Sequence, residues 1–156
     1  MKIAIGADHA AFAEKAAVRE HLKAAGHEVH DLGTDTEASC DYPDFAYLVA
    51  RAVANGEAER GLLVCGTGVG MAMTANKVPG VRAAVCESAQ TVEMTRRHND
   101  ANVLCLGARV LPLEQITALT DLFLATDFEG GRHARRVGKI GVVEEGGDPT
   151  KWTGEG

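Results

Sequence analysis

Five times within the first 125 residues, a short strand-like run gives way to a segment with helical periodicity, and this alternation constrains the fold more than any other feature. The runs are Lys2–Gly6, His27–Leu32, Gly61–Cys65, Val81–Cys86 and Val103–Gly107. His27–Leu32 alternates in polarity, whereas the others are apolar almost throughout, as strands buried on both faces must be. The intervening helices are expected over Ala10–Ala25 with Gly26 as its stop, Pro43–Asn55 ahead of Gly56, Gly66 to Lys77, Ser88 (a cap residue) to His98, and Pro112 to Ala125. Strand–helix alternation closes most economically as a parallel sheet with right-handed crossovers. The expected fold is therefore α/β, a doubly wound five-stranded parallel sheet in three layers, Rossmann-like or flavodoxin-like.

After Thr126 the pattern breaks. Phe128-Glu-Gly-Gly-Arg-His-Ala-Arg-Arg136 leads into an extra C-terminal helix ending near Glu145. Five units already close the sheet, so this helix is free to reach a partner subunit. Residues 1–145 read as one domain and 146–156 as a polar, Gly-rich tail, loose apart from Trp152.

Composition excludes several function classes. A net charge of −6 argues against nucleic acid, because backbone phosphates need a basic surface. No apolar stretch approaches the roughly 18 residues of a membrane span. The four cysteines, Cys40, Cys65, Cys86 and Cys105, show no C-x-x-C spacing and follow no signal peptide, so free thiols in a cytoplasmic protein are expected. Neither H-x-x-x-H nor H-E-x-x-H occurs, so no metal or other cofactor is expected.

Candidate chemistry gathers at segment ends. Asp8 and His9 follow the first strand, Asp41 and Tyr42 the second, Cys65 and Thr67 the third, and Arg109 the fifth. His98, Asn99 and Asp100 end the helix before the fifth strand. All are expected to converge on one sheet edge, where doubly wound folds bind ligands. Cys65-Gly66-Thr67-Gly68-Val69-Gly70 has glycines that let backbone N–H groups face an anion at a helix start. It is neither a dinucleotide fingerprint nor a Walker loop, since both spacings fail. A thiol at such a position is favoured as thiolate and acts as base or nucleophile; the alternative is a buried strand-end cysteine. Arg132 and Arg136, four apart, share a helical face and suit a phosphate dianion, the alternative being a solvated basic face. His98 suits proton transfer near neutral pH, or else merely caps its helix.

Taken together, Asp8-His9, Asp41-Tyr42-Pro43, Cys65-Gly-Thr-Gly-Val-Gly70, Ala75-Asn76-Lys77, His98-Asn99-Asp100 and Gly130-Gly-Arg-His133 resemble the ribose-5-phosphate isomerase B family, which is related to galactose- and allose-phosphate isomerases. The resemblance runs from Met1 to about Val143. It implies a metal-free aldose–ketose isomerase of a small phosphosugar, a homodimer or dimer of dimers with sites at the subunit interface. By that resemblance Cys65 is the base, Thr67 and the amides of Gly66, Gly68 and Gly70 stabilise an enediolate, and His98 assists ring opening. Asp8 and Asn99 would bind hydroxyls, Tyr42 would line the sugar site, and His9, Arg132 and Arg136, with Arg109, would hold phosphate. Some family members carry the base on a glutamate a few residues further on; here that stretch is Met71-Ala-Met73. Ribose 5-phosphate is the expected substrate, with allose, galactose and tetrulose phosphates as alternatives. From another class, a non-catalytic phosphate- or nucleotide-binding module explains the glycine loop but leaves Cys65 and His98 without purpose.

Overall fold

The computed structural model describes residues 1–154. Five parallel strands alternate with helices: β1 Lys2–Ala7, α1 Phe12–Ala24, β2 Glu28–Asp31, α2 Tyr42–Ala54, β3 Arg60–Cys65, α3 Val69–Ala75, β4 Ala83–Val85, α4 Ala89–Asn99, β5 Val103–Gly107, α5 Leu113–Ala125 and α6 Arg132–Glu144. A single 3-10 turn, His9–Ala11, joins β1 to α1. The sheet order is β2-β1-β3-β5-β4. The expected three-layer α/β fold is present, and the chain reverses direction across the sheet between β1 and β3.

The last two strands are exchanged relative to a flavodoxin-type order. Burial accounts for this. Every residue of β5 is buried, so it takes an interior position. β4 has only three residues, all half-buried, and forms a short edge that is hard to extend by unwanted pairing. Asn76, just beyond α3, holds that edge: its side-chain amide donates to the Ala83 carbonyl at 2.9 Å, and its carbonyl accepts from the Ala83 N–H at 2.8 Å.

The period-2 pleat divides the core in two. Ile3, Ile5, Leu62, Val64, Leu104 and Leu106 face α1, α4 and α5. Ala4, Leu63, Cys65, Val103 and Cys105 face α2 and α3. Gly6 and Gly61 let α2 approach closely, because a Cβ at either would lie under 3.0 Å from Val49. Burial pushes the Cys86 and Cys105 thiols up, which suits inert core residues.

Polar anchors fix the loops. Buried Lys15 donates to Asp31 and to the Thr34 carbonyl, both at 2.8 Å, and Arg19 donates to the other Asp31 oxygen at 2.9 Å. That cluster secures the long loop after β2. Buried Arg96 donates to Asp100, to the Ala101 carbonyl and to the Thr126 carbonyl, fixing the end of α4.

The extra C-terminal helix is α6. It packs against α4, and Glu144 at its end accepts from the Gly80 N–H at 3.0 Å. Ile140 and Val143 stay exposed on it. The described part of the tail is laid back rather than loose: Lys139 donates to the Pro149 carbonyl at 2.8 Å, and the Trp152 ring lies over Gly138. The last two residues of the predicted tail fall outside the described chain. No helix among the described residues is long and apolar enough to cross a membrane.

Candidate active site

At the carboxyl edge of the sheet, β3 ends in Cys65, which is 5% exposed. The next residues turn sharply, with Gly68 at φ +80, where any Cβ would be strained and would also meet the backbone of Leu106 at 3.1 Å. That turn aims the Gly68 N–H at the Cys65 sulfur, 3.1 Å away. Thr67 is exposed, and its hydroxyl accepts from the Val69 N–H at 3.3 Å.

Neighbouring strand ends surround this turn. The loop after β5 is tied to it: Ala108 N–H donates to the Cys65 carbonyl at 2.8 Å and Arg109 N–H to the Gly66 carbonyl at 3.0 Å. The Arg109 side chain consequently lies against Gly66, and Gly107 leaves room for the Thr67 backbone. Tyr42, at the start of α2, lays its ring against Gly70. From β1, Asp8 caps the 3-10 turn by accepting from Ala10 N–H at 2.9 Å. His9 accepts from Cys40 N–H at 3.2 Å through Nδ1, which ties it to the loop after β2. Asp8, His9, Tyr42, Cys65, Gly66, Thr67, Gly68, Gly70 and Arg109 are thus all carried by the carboxyl ends of β1, β2, β3 and β5 and the segments that follow them.

His98 and Asn99 are not at that edge. A helix that leads into a parallel strand delivers its own C-terminus to the opposite, amino edge, and α4 leads into β5 by way of Asp100–Asn102. Gly61 N–H, at the start of β3, donates to the Asn102 carbonyl, and Arg82 N–H, just before β4, donates to the Asn102 side chain. The expectation of one shared edge therefore fails for these two residues. Asp100 turns the chain in the left-handed region, φ 46, and pairs with both Arg82 and Arg96.

A second cluster forms around His98. Its ring stacks on His133 of α6, with centroids 4.1 Å apart and planes 9° from parallel. Glu129 Oε2 lies 3.8 Å from His98 Nε2 and 3.6 Å from His133 Nε2. Desolvation, then His98 and Arg132, push the His133 imidazole below its ordinary pKa, so it favours the neutral form. Arg132 and Arg136 project from the same first turns of α6 and are exposed. Towards the other end of α6, a cavity of about 580 Å³ opens between β4, α4 and α6, walled by Val81, Ala83, Ile140 and Val143, with Asn99 among its lining.

Glu129 and Cys40 carried no sequence signal: one is a lone loop carboxylate, the other a lone loop thiol, and only the tertiary fold brings them to His98 and His9. His133 sits inside a basic run that reads as charge rather than as a stacking partner.

A family model described as Ribose/Galactose Isomerase matches residues 3–140. The chain belongs to the ribose/galactose isomerase family. It is 46% identical over 144 residues to ribose-5-phosphate isomerase B of Escherichia coli strain K12, covering 92% of this chain and 97% of that protein. It is 43% identical over 145 residues to D-erythrulose-4-phosphate isomerase of Pectobacterium atrosepticum, covering 92% and 95%. The solved structure of ribose-5-phosphate isomerase B from Clostridium thermocellum superposes with a TM-score of 0.92 at 51% identity, over 94% of this chain and 99% of that one. As a member of this isomerase family, the chain is an aldose–ketose isomerase of sugar phosphates.

Proposed function

We propose that the chain interconverts ribose 5-phosphate and ribulose 5-phosphate through a cis-enediol, with Cys65 as the base. The observation that carries this reading is the Cys65 sulfur at 3.1 Å from the Gly68 N–H, at the head of a glycine turn ringed by Asp8, His9, Tyr42 and Arg109. The thiolate takes the C2 proton of the open-chain aldose, and the electron pair moves onto O1. Backbone N–H groups of Gly66–Gly70 and the Thr67 hydroxyl offset that oxyanion charge. The Cys65 thiol then returns the proton to C1, while a proton passes from O2 to O1 and C2 becomes the carbonyl. No metal takes part in these steps.

Ring opening and phosphate binding need a histidine and cations that the carboxyl edge does not itself supply in full. His98, Asn99, Arg132 and Arg136 come from a second copy of the chain, so the working unit is a homodimer or a dimer of dimers. The apolar cavity beside Asn99 and the exposed Ile140 and Val143 of α6 support this, because a partner surface would cover them. His98 moves the proton that opens the furanose, Asp8 and Asn99 hold hydroxyls, and Tyr42 lines the sugar site. Arg132, Arg136, His9 and Arg109 hold the phosphate. Such an enzyme acts on cytoplasmic metabolites.

A tetrulose phosphate is the second reading, favoured by the 43% identity to a D-erythrulose-4-phosphate isomerase. The deciding experiment is turnover of ribose 5-phosphate beside allose, galactose and tetrulose phosphates, with chelator present, for wild type and Cys65→Ala. Chelator-resistant turnover of ribose 5-phosphate, lost in the variant, is expected. Full activity in Cys65→Ala would remove the cysteine from the mechanism, and no turnover of any sugar phosphate would favour a binding module.

A further inference from the structure

We propose that His98, Glu129 and His133 form a binding site for a zinc-class divalent cation, and that occupancy of this site switches the isomerase off by sequestering the His98 imidazole. The switching half rests on the ring-opening role given to His98 above; the binding half does not.

The donor set suits such an ion. Two imidazoles and one carboxylate are ligands that zinc takes in three-ligand sites, with metal distances of about 2.0–2.2 Å. Donors at those radii around a tetrahedral ion lie roughly 3.4 Å apart. The three ligand atoms here lie within 4.8 Å of one another, with Glu129 Oε2 at 3.6 Å and 3.8 Å from the two Nε2 atoms. Closing on a cation takes a few tenths of an ångström at the carboxylate and a rotation of the two rings out of their parallel stack.

The supports are in place. Glu129 N–H donates to the Arg97 carbonyl at 3.1 Å, which ties the α6 entry to the last turn of α4. His133 is buried, His98 a third exposed and Glu129 half exposed, so the site is fixed on one side and leaves a fourth position open to water. The carboxylate brings the one negative charge among the ligands, and the Arg132 and Arg136 cations oppose it, so the ion is held less tightly than at a site without them. The spacing escapes sequence motifs because Glu129 and His133 are four apart, whereas His98 comes from another helix.

The test has two arms. Co²⁺ is titrated into the full-length Cys40→Ser/Cys65→Ser chain, in which the two site-edge thiols are absent, and the visible d–d bands of tetrahedral Co²⁺ are read. One Co²⁺ per chain, displaced by Zn²⁺ and weakened at least tenfold by Glu129→Gln or His133→Asn, is expected. Absence of the bands, or bands indifferent to both substitutions, overturns the site. In the second arm, Zn²⁺ inhibits ribose 5-phosphate turnover by the otherwise unaltered chain, chelator restores it, and Glu129→Gln raises the half-inhibitory concentration at least tenfold. Equal zinc sensitivity in Glu129→Gln overturns the switch and places the inhibition elsewhere. If no sugar phosphate turns over at all, the proposed reaction fails while the Co²⁺ bands still report on the site.

Discussion

Cys65 closes β3 at the carboxyl edge of the sheet, and His98 lies in the last turn of α4, at the amino edge. Register fixes how far apart those edges are: β5 starts at Val103 opposite Gly61 and ends at Gly107 opposite Cys65. Four residue steps of a parallel strand span about 13 Å. A small phosphosugar held at Cys65 therefore cannot reach His98 of the same chain. If both act on one molecule, they come from two chains.

Exposed Arg132 and Arg136 have no carboxylate within salt-bridge distance among the described residues, which leaves both guanidinium groups free for a dianion. Arg132→Ala and Arg136→Ala should each raise KM for the sugar phosphate about tenfold or more, a loss of at least ~1.4 kcal/mol of binding. Steady-state kinetics on each variant checks this. Unchanged KM in both would show that the phosphate is held elsewhere.

Gly70 is set by Tyr42, not by backbone strain. A Cβ there would sit 2.6 Å from the Tyr42 ring, so Gly70→Ala must displace that ring. The expected outcome is a fall in kcat/KM of about tenfold or more with little change in melting temperature, because Tyr42 is 41% exposed and contributes little to the core. Tyr42→Phe, which keeps the ring, should be much milder.

Acid stability should follow Asp31. Burial alone would raise its pKa, but hydrogen bonds from Lys15 and Gly33, the Lys15 charge and Arg19 outweigh this and hold it below the ordinary range. A depressed folded pKa contributes stability that is present above the unfolded value of about 3.9 and is lost as pH falls through the folded value. Asp31→Asn leaves buried Lys15 facing a neutral amide. It should cost about 1–3 kcal/mol at pH 7 and flatten the stability profile below about pH 4. Chemical denaturation across that range measures both.

The five strands were legible because four of them are apolar on both faces, and the glycine turn because Cys65–Gly70 carries three glycines in six residues. The positions of β4 and β5 were not, since either run reads as a strand and only relative burial decides which lies inside. Asp8, His9, Tyr42 and Arg109 follow strands, so their shared edge was predictable from topology. His98 departs from that edge because it ends α4, a helix that precedes a strand, whereas Asp8, His9, Tyr42 and Arg109 follow strands. The Lys15–Asp31 pair lay beyond reach because it joins helix to strand across a turn, with no signal in either segment alone.

The most direct test mixes two inactive variants. Cys65→Ala and His98→Ala homodimers each lack one half of every proposed two-chain site. After unfolding and refolding together, half the dimers should be hybrids carrying one intact site of two, so activity on ribose 5-phosphate should return to about a quarter of wild type. Recovery to that level would establish that Cys65 of one chain works with His98 of another on the same sugar phosphate. A mixture as inactive as its components, with hybrid dimers shown to be present, would contradict the account.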